Sequence, residues 1–262
     1  MRNSILRYYT RSSKFPSTIR FMSDTTTHLD FELAWQDKLK TGLDQYLESK
    51  EQDRILAGSE LLTMESPTKD KVVWTCEMIG RMGEFTSEEA IQDIFESCHC
   101  AYPSEDLLDV KMTYRLFGDI DTALSMLQEK FEAFLREVIG LEEKFMQKII
   151  AGDWGLAGVR KGDRIIATKI PKSGYLVDYF ESVDPVEKRK LYCHCPRVRD
   201  DVGEEPQLPL VYCYCGAGFY KEIWETILGE PIRVEVLESV MNGGNVCKIA
   251  VHLPESITLN NK

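Results

Sequence analysis

The spacing of the hydrophobic positions changes near the middle of the chain. From about residue 29 to residue 152, apolar side chains recur every three or four residues, which is the spacing of one buried helical face. Leu39 and Leu43 belong to this pattern near its start, and Ile91 and Phe95 belong to it further along. Residues 29–152 are therefore predicted to form a helical region.

After Trp154 the pattern alternates between apolar and polar positions, and residues typical of turns become frequent. Residues 158–167 predict a strand, a tight turn and a second strand. Residues 232–241 and 246–253 predict two more strands. The Asn-Gly-Gly-Asn sequence at 242–245 predicts the turn between them, because Asn and Gly tolerate positive φ angles.

Together these patterns predict an α+β fold, in which a helical N-terminal half packs on an α/β C-terminal domain with an antiparallel sheet. That domain would span residues 153–254, and residues 255–262 would form a tail. Side chains alternate between the two faces of a strand. The alternation places Ser239 on the face opposite Val236, and it turns Cys247 inward with the apolar side chains of the last strand.

The first 23 residues differ from the rest in charge. They contain five Lys or Arg residues, no Asp or Glu, and many Ser and Thr residues. This composition is typical of a mitochondrial transit peptide. The alternative is that Met22 is the true start and that the leader is disordered or never translated. Both interpretations place the protein inside the cell in a reducing compartment, either the cytoplasm or the mitochondrial matrix.

The whole chain has 43 acidic and 32 basic side chains, which gives a formal charge of −11. A negative charge of this size argues against binding nucleic acid through bulk electrostatics. No stretch of about 18 apolar residues is present, so we expect no membrane span. The expected partner is a small molecule, and a homodimer is compatible with the sequence.

The cysteines are the residues with the most informative chemistry. Six of the eight form Cys-x-Cys pairs, and the full set is Cys76, Cys98, Cys100, Cys193, Cys195, Cys213, Cys215 and Cys247. Thiolates are strong ligands for zinc and iron. In an extended segment both cysteines of such a pair face the same side. The alternative is that the thiols are reduced and packed as small hydrophobic groups.

Two segments carry a resemblance to known proteins. Residues 192–199 read YCHCPRVR and residues 212–220 read YCYCGAGFY, and they resemble a family of uncharacterised, mainly bacterial proteins, over about residues 31–254. More distantly, residues 213–253 resemble the 4-vinyl reductase small-molecule-binding domain, an α/β module. A weaker likeness extends to the thiazoline carboxylate hydrolase family.

The resemblance to the small-molecule-binding domain implies a zinc site. Residue by residue, its first ligand falls on Cys213 and its last on Cys247. A further cysteine ligand of that domain falls on Ser239, and its acidic ligand falls on Val236. Iron is an alternative to zinc. The site proposed on this basis consists of Cys213, Cys215 and Cys247 with one or two of Cys193, His194 and Cys195.

An enzyme is the alternative function, namely a cysteine-dependent hydrolase or redox enzyme. Cys193 or Cys195 would be the nucleophile, with His194 as a possible base and positive charge nearby. Catalytic partners usually meet through space and rarely lie next to one another in sequence, which weakens this hypothesis. A purely structural interaction protein is a third alternative. Residues 169–174 contain two lysines that could grip a carboxylate or phosphate, although a solvated loop is the simpler interpretation.

Overall fold

The computed structural model describes residues 31–259. The helices of this part of the chain are α1 (Phe31–Leu43), α2 (Ser49–Ile55), α3 (Thr68–Met82), α4 (Glu88–Ser97), α5 (Leu108–Phe117), α6 (Ile120–Glu137), α7 (Glu143–Ala151), α8 (Leu176–Glu181), α9 (Pro185–Tyr192), α10 (Tyr214–Leu228) and α11 (Glu255–Leu259). The strands are β1 (Val159–Lys161), β2 (Arg164–Thr168), β3 (Arg233–Glu238) and β4 (Lys248–His252). The predicted leader of residues 1–23 and the last three residues of the predicted tail lie outside the described residues.

The fold is α+β, as the hydrophobic pattern predicts. Helices α1 to α7 fill residues 31–151, and β1 begins at Val159, close to the change of spacing in the sequence. Leu39, Leu43 and Phe95 are buried in the core of the helical part. Within residues 31–259, no helix is both long enough and apolar enough to cross a membrane.

The four strands form one antiparallel sheet in the order β1-β2-β4-β3. Strands β1 and β2 make the hairpin predicted for residues 158–167, and Gly162 adopts a positive φ of 65° in its turn. The second hairpin also forms, although β3 and β4 are shorter than the predicted strands. Strand β4 lies between β2 and β3, so its residues are central in the sheet.

A β-bulge near the end of β3 changes which side chains face inward. Val236 pairs with Ile249, but Glu238 pairs with Lys248, so Leu237 is an extra residue on β3. A bulge of this kind shifts the alternation of side chains by one position. Ser239 is consequently buried, with 3% of its surface exposed. The prediction that strict alternation would continue through Ser239, on the face opposite Val236, was therefore wrong.

Helix α10 connects the two halves of the molecule. It packs against β3 and β4 on the sheet and against α4 and α5 in the helical half. The contact with α4 is very close, because a Cβ atom on Gly218 would lie 2.0 Å from the carbonyl oxygen of Glu96. Only glycine permits this approach without a shift of the backbone.

A buried ion pair fastens the segment after α9 to the helical half. The Nε atom of Arg197 donates hydrogen bonds to the two carboxylate oxygens of Glu32 in α1, at 2.9 and 2.8 Å. Arg197 also donates to the hydroxyl of Thr75 in α3. Its guanidinium lies over the ring of Trp35, 4.1 Å from the centroid. These contacts hold the loop that carries Cys193 and Cys195 in a fixed position.

Candidate functional site

A cavity of about 280 Å³ is lined by residues from both halves of the protein. Seven of the eight cysteines line it, namely Cys98, Cys100, Cys193, Cys195, Cys213, Cys215 and Cys247. We call this feature the thiol cavity. The eighth cysteine, Cys76, lies outside the lining, with its Sγ atom 3.8 Å from the carbonyl oxygen of Gln207. All eight cysteines are free thiols.

Element ends deliver the cysteines of the C-terminal half to the cavity. Asp184 caps α9 by accepting hydrogen bonds from the backbone at its first turn, and the helix ends just before Cys193. Cys213 directly precedes α10, and Cys215 lies in the first turn of that helix. Cys247 directly precedes β4. All five cysteines predicted as metal ligands, which also include Cys195, therefore line the same cavity.

Ser239 lies between two of these cysteines. Its Oγ atom is 3.0 Å from the Sγ atom of Cys213, and its hydroxyl also acts on Cys247, where it lowers the pKa of the thiol. The backbone N–H of Met241 donates to the same hydroxyl. The three positions that the resemblance assigns to metal ligation, Cys213, Ser239 and Cys247, thus lie together. The β-bulge makes this possible, because it turns Ser239 into the interior.

Burial favours the protonated form of four cavity thiols, those of Cys193, Cys213, Cys215 and Cys247. Burial raises the pKa of Cys213 to about 12, and the neighbouring Cys247 adds to this effect. Burial also raises the pKa of Cys193 and Cys215 well above the ordinary range, and it raises the pKa of Cys247. The cause is that an apolar environment disfavours the charged thiolate. The thiols would therefore lose their protons only to a strong competitor such as a metal ion.

His194 does not form a pair with either neighbouring cysteine. Its Nε2 atom lies 2.8 Å from the carbonyl oxygen of Ile170, and because a carbonyl can only accept, Nε2 carries the proton. Burial and then the charge of Lys169 lower the pKa of His194 well below its usual range. The ring is therefore neutral near pH 7. Its Nδ1 atom is the nitrogen that remains available for a metal or a ligand.

Tyr212 is a site residue that the sequence did not reveal. Its hydroxyl oxygen lies 3.2 Å from the Sγ atom of Cys195. The ring is buried and packs on Trp35 and Phe95, with centroid distances of 6.1 and 5.7 Å. Burial raises the pKa of Cys195, and the Tyr212 hydroxyl partly opposes the increase. Cys195 is thus paired with a tyrosine, in contrast to the predicted pairing with His194.

The donor set fits zinc or iron in its chemistry, because thiols and an imidazole nitrogen are the groups that bind these metals most strongly. The side chains are not gathered around one point. Across residues 31–259, no three His, Cys, Asp or Glu side chains form a group that could hold a metal ion as they stand. Binding a metal would therefore require several cavity thiols to rotate toward one another.

The helical half contributes an apolar wall that sequence reasoning did not assign to the site. Tyr102, Phe131 and Phe134 line the cavity from this side. The ring of Tyr102 meets that of Phe219 from α10 edge to face, with centroids 6.0 Å apart. Small-molecule sites are commonly apolar clefts with a few polar groups. No local pattern marks Phe131 and Phe134 as site residues, since they share ordinary helical spacing with the core, and Tyr102 lies in the loop between α4 and α5.

The chain matches no protein-family model, and neither a curated protein nor a solved structure matches it. The resemblances of residues 192–199 and 212–220 therefore stay predictions.

Proposed function

We propose that this protein binds a small molecule in the thiol cavity, and that cavity cysteines coordinate a zinc or iron ion there. The observation that carries the proposal is the convergence of seven of the eight cysteines on one cavity. They come from segments far apart in sequence, so chain proximity alone does not explain their convergence. A metal would give so many thiols a shared role.

Cys213 and Cys247 would hold the metal, with Cys193, Cys195 or Cys215 as further thiolates and Nδ1 of His194 as a nitrogen donor. A bound ion of this kind would supply a fixed positive charge that orients a ligand. Ser239 supports Cys213 through the 3.0 Å contact between their Oγ and Sγ atoms. A hydrogen bond of this type orients a metal ligand from behind.

A zinc titration tests the metal part of the proposal. Reduced, chelator-treated protein is titrated with zinc in a calorimeter, and we expect saturable binding close to one ion per chain. Replacing Cys213 or Cys247 by Ala should weaken binding by more than about 100-fold, since removing even a supporting residue typically costs 10- to 100-fold.

Cys76→Ala is the matched control, because Cys76 is a free thiol outside the cavity lining. We expect it to bind zinc as the unmodified protein does. The metal proposal fails if the unmodified protein binds no zinc, or if the two cavity variants bind zinc as tightly as Cys76→Ala.

The alternative of a cysteine-dependent hydrolase or redox enzyme has less support. A nucleophilic cysteine needs a lowered pKa, but burial raises the pKa of both Cys193 and Cys195. The Nε2 atom of His194 is occupied by the carbonyl of Ile170. The contact between Cys195 and Tyr212 is the feature on which an enzymatic role would have to depend.

The state of the cysteines also supports a proposal about location. All eight are free thiols, even though seven of them line one cavity. Proteins in oxidising compartments commonly join such cysteines as disulfides. We propose that the protein works in a reducing compartment, either the cytoplasm or the mitochondrial matrix.

A further inference from the structure

The thiol cavity carries positive charge in a protein that is acidic as a whole. The chain has a formal charge of −11, yet Lys169 and Lys172 both line the cavity. Among the described residues of the lining, Glu238 is the single Asp or Glu. The formal charge of the described lining residues is therefore positive, whereas that of the whole chain is negative.

The carboxylate of Glu238 is already engaged by other groups. It accepts a hydrogen bond from the backbone N–H of Asn245 at 2.8 Å and another from Val246 at 3.3 Å. It also pairs with the ammonium of Lys248 at 3.6 Å. Glu238 therefore does not neutralise the lysines of the cavity.

Lys169 is held in place at its backbone. Its N–H donates to the carbonyl of Cys247 at 3.0 Å, and its carbonyl accepts a hydrogen bond from the hydroxyl of Tyr192. The side chain passes over the start of α10, since its Nζ atom is 3.7 Å from the position of a Cβ on Gly216. With respect to residues 31–259, the ammonium makes no hydrogen bond and no ion pair; it lies 5.5 Å from the centroid of the Phe219 ring.

Within the described part of the chain, no negatively charged side chain pairs with the ammonium of Lys169. Contact with an aromatic face recovers part of the cost of its partial burial, but an anion would recover more. The lining contains no arginine among its described residues, so it lacks the forked donor that suits a phosphate dianion. A singly charged carboxylate fits the site better.

The aromatic residues that line the cavity indicate which kind of chemical group the carboxylate would be attached to. The ring of Phe219 lies next to Lys169 and contacts the ring of Tyr102. Phe131 and Phe134 line the same cavity. A flat apolar group can pack against aromatic rings of this kind. A cavity of about 280 Å³ has room for a small ligand.

We propose that the thiol cavity binds a small carboxylate with a ring-sized apolar body, with the carboxylate on Lys169 and the body against Phe219 and Tyr102. This inference rests on the proposed small-molecule function and names its ligand class. It does not depend on a bound metal.

Calorimetry with benzoate, benzamide and inorganic phosphate on the full chain tests the proposal. Benzoate and benzamide have the same ring and differ mainly in charge. We expect benzoate to bind at least about tenfold more tightly than benzamide, which is a difference of about 1.4 kcal/mol. Lys169→Met should remove this preference, and Lys169→Arg, which keeps the charge, should retain most of it.

The matched control is Lys161→Met, which removes an exposed lysine of β1 outside the cavity lining. We expect it to keep the preference for benzoate. Equal binding of benzoate and benzamide, the absence of saturable benzoate binding, or an unchanged preference in Lys169→Met would each overturn the inference. Phosphate that displaces benzoate and binds more tightly than benzoate would also overturn the inference, in favour of a phosphate site.

Zinc binding measured on the same samples separates this inference from the metal proposal. A protein that binds zinc but does not prefer benzoate contradicts the carboxylate inference alone. A protein that prefers benzoate but binds no zinc contradicts the metal proposal alone.

Discussion

Arg197 is the residue on which the position of the cysteine loop depends most. Its guanidinium is fully buried, and its partner Glu32 is 1% exposed. An ion pair at this depth is costly to desolvate, and its two members must compensate one another. Thr75 and Trp35 complete the surroundings of the guanidinium. The pair therefore serves to fix one arrangement of α1, α3 and the loop that follows α9.

Replacing Arg197 by Met should destabilise the protein by about 3–5 kcal/mol, because it removes the cation that hydrogen-bonds to the buried Glu32 carboxylate. Urea denaturation measures this cost. Arg136→Met is the control, since Arg136 pairs with Glu132 at a half-exposed position; it should cost no more than about 1 kcal/mol. Equal costs for the two variants would show that the buried pair does not fix the loop.

Among the elements, α10 determines how the two halves meet. Its N-terminal turn supplies Cys215 to the cavity, and the helix packs closely against α4 at Gly218. Gly216 lies two residues earlier in the same helix and lines the cavity, and a Cβ atom placed on it would make an ordinary contact of 3.7 Å with the Nζ atom of Lys169. The two glycines of the GAG sequence thus have different roles.

Gly218→Ala should cost about 3 kcal/mol or more, because the added methyl group would overlap the Glu96 carbonyl and force α10 away from α4. Gly216→Ala should change stability by no more than about 1 kcal/mol, and alanine's helix propensity favours a gain. Urea denaturation of both variants checks the difference. If Gly218→Ala is as stable as Gly216→Ala, the close contact of α10 with α4 is not what joins the halves.

The hairpins show what the sequence could predict at this scale and what it could not. The first hairpin could be predicted from Gly162 and the alternating residues around it. The structure confirms this prediction. The bulge at Leu237 has no such local sign, because it depends on how β3 pairs with β4. The burial of Ser239 follows from that pairing and could not be predicted from alternation.

The candidate site, like the hairpins, could be predicted from the sequence only in part. The resemblance to the small-molecule-binding domain indicates Cys213 and Cys247, and both line the cavity. Tyr212 and Phe131 could not be predicted, because their part in the cavity arises when α6 and the loop before α10 meet in the folded chain. The same holds for Cys98, which is 2% exposed and comes from the helical half.

At the scale of the whole molecule, the thiol cavity is a site to which both halves contribute side chains. Its thiols come mainly from the C-terminal half, while the helical half supplies Cys98, Cys100 and much of the apolar wall. Its lysines are positively charged, whereas the chain as a whole is acidic. This combination favours a buried site for a soft metal and a small anionic ligand over a surface for macromolecular partners.

The measurement that tests the central claim most directly is the metal content of the protein purified without oxygen, with a count of reactive thiols after denaturation. The account predicts about one zinc or iron ion per chain, which is lost when Cys213 is replaced by Ala and retained in Cys76→Ala. Less than about a tenth of an equivalent of either metal, together with eight reactive thiols, would contradict a metal site in the thiol cavity.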